Sequence, residues 1–281
     1  MPSSLDVKKQ YGLRSNWRGG LALGRDVLLL AIALFVAMNY SSNVLIAIGI
    51  IWFIGMLQFA MGESLLHEAS HGNLFASVWL NSLVGNVIGF AIFTTMDAWR
   101  KEHSVHHGHL LSAEDHLSTD YVNYRLYKGY HPFVIWVAQP VLGWVGWQWA
   151  VSEVPALFKH WGVFVFYSLL GLFCYFTNTL TVLFIYWLLP LVWAYSSILY
   201  WSEITDHYLA KSETRSNLSL FWNVMFHNGG YHWVHHQYPF IPWYLLPKAD
   251  EALTPATTDS VGGWWEMYQV MVADYRQGAT R

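Results

Sequence analysis

The chain has 281 residues, of which 54% are hydrophobic, 18% aromatic and only 12% charged. A soluble domain carries roughly a quarter charged residues, so much of this surface is not built for water. A net charge of −3 gives a nucleic acid nothing to bind, and the one cysteine, Cys174, excludes an internal disulfide or a cysteine-based zinc site.

The first 25 residues are polar and basic and lack the apolar core of a cleavable signal peptide. Apolar stretches follow at about 27–38, 44–60, 74–93, 133–149 and 163–200. A spanning helix needs ~20 such residues. The first two stretches, joined by a tight turn at "NYSSN" (Asn39 to Asn43), predict a helical hairpin. Residues 163–200 are twice a span and break near "FTNT" (Phe176 to Thr179), which predicts a second hairpin. The expected spans are about 25–40, 43–64, 160–177 and 179–201. All 15 Lys and Arg residues lie away from the hairpin tips. By the positive-inside rule both hairpins return to the cytoplasm, and both termini lie there.

Residues 74–93 could cross as well, but one crossing would separate His67 and His71 from His103, His106 and His107. If those histidines share a centre, the segment lies along the interface or dips in and returns. Residues 133–149, broken by Pro140, Gly143 and Gly146, read as interfacial. Trp144, Trp147 and Trp149 read as interfacial anchors, and "SVGGWWEMY" (Ser260 to Tyr268) as a membrane-contacting piece. The expected fold is an all-α integral membrane protein. It has four transmembrane helices in two hairpins, interfacial helices and a cytoplasmic histidine-rich cap, in a single domain over residues 1–281.

Three histidine clusters supply the chemistry. They are His67 with His71; His103 with His106 and His107; and His232 with His235 and His236. On a helix, positions i, i+3 and i+4 share a face. These eight imidazoles exceed the four ligands of a tetrahedral zinc and suit a pair of first-row metals, with iron a natural partner. A lone histidine is ordinarily a surface or hydrogen-bonded residue, and His131, His160 and His227 read that way. Clustered ionisable groups beside a membrane are functional by default. Bound imidazoles usually donate their second N–H to a carboxylate, so Asp115 and Asp120 are candidates for that role, with His109 and His116 nearby. Glu63 lies one turn before His67 on the same face, whereas Glu68 reads as a surface or structural carboxylate.

The order HxxxH, HxxHH, HxxHH between apolar hairpins resembles the membrane fatty acid desaturase/hydroxylase superfamily. "NGGYHWVHHQYPFIPWYLLP" (Asn228 to Pro247) is similar to that superfamily's third-box pattern. "SEITDHYLAKSETRSN" (Ser202 to Asn217) resembles the segment that supplies a further histidine, here His207, with an Asn or acidic residue four positions earlier, here Glu203. The likeness runs from about Leu30 to Ala249.

The resemblance implies an O2-dependent di-iron oxidoreductase that desaturates or hydroxylates an unactivated C–H bond of a lipid, a fatty-acyl chain foremost. It implies two Fe ions held by His67, His71, His103, His106, His107, His207, His232, His235 and His236. Glu203 would be a further ligand, directly or through water, and no catalytic residue is expected beyond the metal ligands. The chain is too short for a cytochrome b5 domain and has no HPGG haem motif. Electrons are therefore expected from a separate donor of ferredoxin, rubredoxin or cytochrome b5 type.

Carotenoid and alkane hydroxylases or ketolases share similar boxes. "HEASH" also matches the HExxH of zinc metalloproteases, with Glu68 as base, but that leaves at least five clustered histidines unexplained. A non-enzymatic metal transporter or sensor would place its ligands within the spans.

Overall fold

The protein is a computed structural model that describes residues 3–40 and 43–278. The chain is mostly helical. Three helices are long and apolar enough to cross a membrane, α2 (Asn16–Tyr40), α3 (Val44–Ser70) and α9 (Leu180–His207), or up to five if each of two bent pairs counts as one span. Ser41 and Ser42 of the expected "NYSSN" turn lie outside the described residues. Just beyond them Asn43 caps α3, its side-chain oxygen accepting from the backbone N–H of Leu45 at 2.9 Å and Ile46 at 3.3 Å.

Two helices overrun the boundaries expected from hydropathy. α2 starts at Asn16 rather than near residue 25, with the Ser15 hydroxyl accepting from the Arg18 N–H at 3.3 Å. A polar first turn is compatible with a helix that becomes apolar further on. α3 continues past residue 64 to Ser70, so His67 sits on the same helix as the span. Within it Ala60–Leu66 is wound as π-helix.

The expected interfacial pieces are broken helices. α4 (Val78–Ala91) meets α5 (Met96–Gly108) at a bend of 91°. After α6 (His116–Asn123), residues Val134–Val141 form a short π- and α-helical run. It ends at Gly143, whose φ of 82° lies in the left-handed region that glycine adopts without strain. α7 (Trp144–Glu153) follows, and the Trp144–Lys159 stretch meets α8 (Trp161–Phe176) at 96°. α8 is long and apolar enough to cross a membrane only together with that preceding stretch.

α3, α7 and α9 form the frame around the histidines. Gly55 on α3 lies so close to α9 that a Cβ there would come within 2.4 Å of the Ala194 Cβ, the small-residue contact that lets apolar helices approach. Gly146 on α7 is tighter still, with the Val192 carbonyl oxygen 1.9 Å from where its Cβ would stand. α9 itself has π-helical turns at Phe184–Leu188 and Leu191–Tyr195 on either side of Pro190, which has no N–H to donate.

The end of α9 is stapled by Arg215, 1% exposed. Its guanidinium donates to the carbonyl oxygens of Thr205 (2.9 Å), Tyr208 (3.1 Å) and Leu209 (2.8 Å) and pairs with Asp259 at 3.0 Å. These contacts satisfy carbonyls that the helix end leaves unpaired. Nearby, Ser216–Asn217 and Ser260–Val261 form a two-stranded parallel pair that brings α12 (Trp264–Gly278) back toward α9, where Met267 packs with Tyr200 and Ile204. α10 (His232–Gln237) carries the third histidine cluster. α1 (Ser4–Tyr11) packs Val7 and Tyr11 against Trp233 and Val234 of α10, and α11 (Leu246–Leu253) adds Leu246 and Ala249 to that core.

Candidate metal centre

Nine histidines converge from four segments of the chain. His67, at the end of α3, and His71, just beyond it, meet His103 and His107 on α5 and His235 on α10. In this group of five the ligand atoms all lie within 4.8 Å of one another. His106 on α5, His207 at the end of α9, and His232 and His236 on α10 form a second group on the same criterion. The two groups adjoin, with the His107 and His236 rings stacked at 4.2 Å.

The helical spacing explains the division. His103 and His107 are i, i+4 on α5 and share a face, whereas His106 is turned toward the second group. α10 divides its ligands likewise, His235 to the first group and His232 with His236 to the second.

The distances fit metal ligands better than a hydrogen-bond network. Nε2 atoms lie 3.2 Å apart for His67 and His71, 3.0 Å for His71 and His103, 2.9 Å for His103 and His107, and 3.1 Å for His107 and His235. His207 and His232 stand at 2.9 Å. Imidazoles at right angles around an ion with metal–nitrogen distances of about 2.1 Å would be about 3 Å apart. A neutral ring has one donor and one acceptor, so a ring of five inward-pointing nitrogens cannot be satisfied internally. Further buried ring nitrogens, Nδ1 of His207 and His235 and Nε2 of His236, have no hydrogen-bond partner. Burial, with the neighbouring imidazoles, holds His232, His235 and His236 well below the ordinary histidine range. They are therefore neutral, the form that binds metal.

Asp115 supports the second group. Its two oxygens lie 3.3 Å from His106 Nδ1, leaving Nε2 free to face the centre. Burial pushes this carboxyl up, but hydrogen bonds from His106 and the Leu111 N–H outweigh it and hold it at about 2. It is ionised throughout the neutral range. Asp115→Asn keeps the shape and removes the charge that orients His106. We expect about tenfold weaker metal retention, measured as the chelator concentration that strips the protein.

Glu203, for which the resemblance implies a ligand role directly or through water, groups with His116 and Asp120. Its Oε1 is 3.9 Å from His116 Nε2, and its buried Oε2 has no partner. Glu63 accepts from the Tyr195 hydroxyl at 2.5 Å. Glu68 is 2% exposed and its Oε2 accepts from the Trp243 N–H at 3.0 Å, so it fastens the third-box segment and is not positioned as a protease base. His109 is exposed and belongs to neither group. His227 is buried in a clamp with Asp26 (2.8 Å) and Arg25 (2.8 Å).

Three supporting residues were invisible to motif reading. Trp99 stacks on His103 at 4.5 Å, one turn earlier on α5. Asp206 accepts from the Ser202 hydroxyl at 3.0 Å and lies 3.9 Å from His232 Nδ1. Tyr195 holds Glu63. Only Trp99 had a local signal, its i, i+4 spacing to His103.

Beside both groups lies a cavity of about 430 Å³, bordered by His67, His103, His106, His207 and His232.

A search of curated proteins returns no match for the sequence. The Fatty acid desaturase family profile matches residues 41–268, a stretch that contains all nine clustered histidines. The chain belongs to the fatty acid desaturase family, the membrane desaturase and hydroxylase superfamily.

Proposed function

We propose that this chain is an O2-dependent di-iron oxidoreductase that desaturates or hydroxylates an unactivated C–H bond of a lipid. The observation that carries the reading is the convergence of nine histidines into two adjoining groups, each compact enough to hold an ion. Iron would be held by His67, His71, His103, His107 and His235 in one group and by His106, His207, His232 and His236 in the other. Glu203 stands aside from both and would reach the second only through a bridging group. When bound, the metal pair supplies reductive activation of O2, which simple side chains cannot perform.

The residues of the chain do the rest. Asp115 orients His106, Trp99 braces His103, and the neighbouring cavity receives the reacting part of the substrate away from bulk water. Desaturation consumes one O2, two electrons and two protons per pair of hydrogens removed and yields two waters. Hydroxylation with the same inputs returns one oxygen atom to the carbon and yields one water.

The electrons would come from a separate carrier of ferredoxin, rubredoxin or cytochrome b5 type. We infer four spans in two hairpins, with α8 and α9 as the second pair, in one domain across residues 1–281. The histidine cap and both termini would face the cytoplasm, in keeping with the placement of the 15 basic residues.

Metal analysis and lipidomics test the reading together. Purified protein is expected to hold two irons per chain. Lipids of an expressing host are expected to show loss of two hydrogens or gain of one oxygen against a vector control. One zinc per chain with no altered lipid would refute it.

A further inference from the structure

The cavity beside the histidines offers a fatty-acid carboxylate no Lys or Arg to pair with. Six carboxylates border it, Glu63, Glu102, Asp120, Glu153, Glu203 and Asp206, and no Lys or Arg does. Within 4 Å their basic neighbours are imidazoles, His116 at 3.5 Å from Glu102 and 3.9 Å from Glu203 and His232 at 3.9 Å from Asp206, while Arg215 acts on Asp206 from further away. The acids come from α3, α5, α6, α7 and α9, so the fold gathers them from elements far apart in sequence.

Two of these carboxylates are left incomplete. Asp206 is 5% exposed, and its Oδ1 has no hydrogen-bond partner; Glu203 Oε2 is buried with none either. Burying an unpaired carboxylate oxygen is costly, so each of these oxygens is open to a partner that enters the cavity.

The remaining wall selects the kind of cation. Phe59, Trp99, Tyr124, Trp149 and Trp222 face the same space. None of these rings carries a Lys or Arg over its face in the contacts of that type found among the described residues. Aromatic faces with nearby carboxylates bind alkylammonium groups, whereas a bare metal ion gains little from them. The volume falls in the range of small-molecule pockets and exceeds what an ion needs.

We propose that the substrate is a cationic amphiphile, an alkyl chain bearing an amine or quaternary ammonium group, whose charged end is held in this acidic aromatic cavity next to the histidine centre. This rests on the oxidative reading of that centre. It adds the class of lipid and places the oxidised carbons near the charged end.

The test is equilibrium binding to the full chain in nanodiscs, read by intrinsic tryptophan fluorescence, with iron quantified in the same sample. The probes are hexyltrimethylammonium, hexanol and hexanoate. Hexyltrimethylammonium is expected to bind at least about tenfold more tightly than either of the others. In Glu63→Gln/Glu153→Gln that preference is expected to fall to about threefold or less. The wild-type comparison decides on its own if the double variant does not fold. Equal or tighter binding of hexanoate overturns the proposal. So does binding of Zn2+ in the cavity without binding of the ammonium probe. Iron loading at two per chain without ammonium preference sinks this inference alone, and ammonium preference without iron sinks the oxidative reading alone.

Discussion

Alanine at His107 or His236 abolishes product formation in the expected result, while the protein still inserts in the membrane and can be purified. The two residues belong to different groups, yet their rings stack at 4.2 Å. Each substitution removes a ligand outright. The loss should therefore exceed the roughly tenfold to hundredfold cost of losing an outer-shell partner. Metal content separates the cases: each variant is expected to retain less than the two ions of the wild type. The same outcome is expected for His103→Ala and His232→Ala. Full activity in two of the four variants would show that the histidines do not form one shared centre.

The largest stability effect is expected at Arg215. Replacement by Met leaves the carbonyls of Thr205, Tyr208 and Leu209 and the carboxylate of Asp259 without their donor. Removing one partner of a buried ion pair costs about 3 kcal/mol or more. Arg215→Lys is not expected to restore it, because one ammonium cannot reproduce a planar fork aimed at several acceptors. Thermal unfolding in detergent measures both variants. A Met variant within about 0.5 kcal/mol of wild type would mean the carbonyls find water instead. The unfolding data bear on the site too, because α9 ends at His207 and the staple holds that last turn.

What could be read from the sequence follows a physical division. Eight of the nine histidines are legible because i, i+3, i+4 spacing is a local property and imidazoles are seldom clustered by chance; His207 stands alone in the sequence and is reached only through the family resemblance. The apolar helices are legible for the same reason, since hydropathy is summed along a short window. The acidic cavity is not. Glu63, Glu102, Asp120, Glu153 and Glu203 are separated by up to 140 residues, with no shared motif, and only the packing of α3, α5, α6, α7 and α9 brings them to one wall. Glu203 is read as a ligand, directly or through water, only through the family resemblance, and the packing that sets its carboxylate beside His116 and Asp120 has no signal in the sequence. The bends of 91° and 96° were hidden likewise, because a window of hydropathy cannot distinguish a straight apolar helix from a folded one.

The π-helical stretch Ala60–Leu66 runs straight into His67 with no intervening loop. A π turn holds a surplus residue relative to α-helix, and each residue of an α-helix turns the chain by about 100°. Deleting one residue here would let the stretch relax to α-helix. His67 and His71 would then keep their heading toward His103 and His235, with the change absorbed in the coil. In a regular helix the same deletion would swing the first histidine pair away from its partners. The spanning helix thus has a built-in tolerance for changes of length, placed where a loop would otherwise be needed.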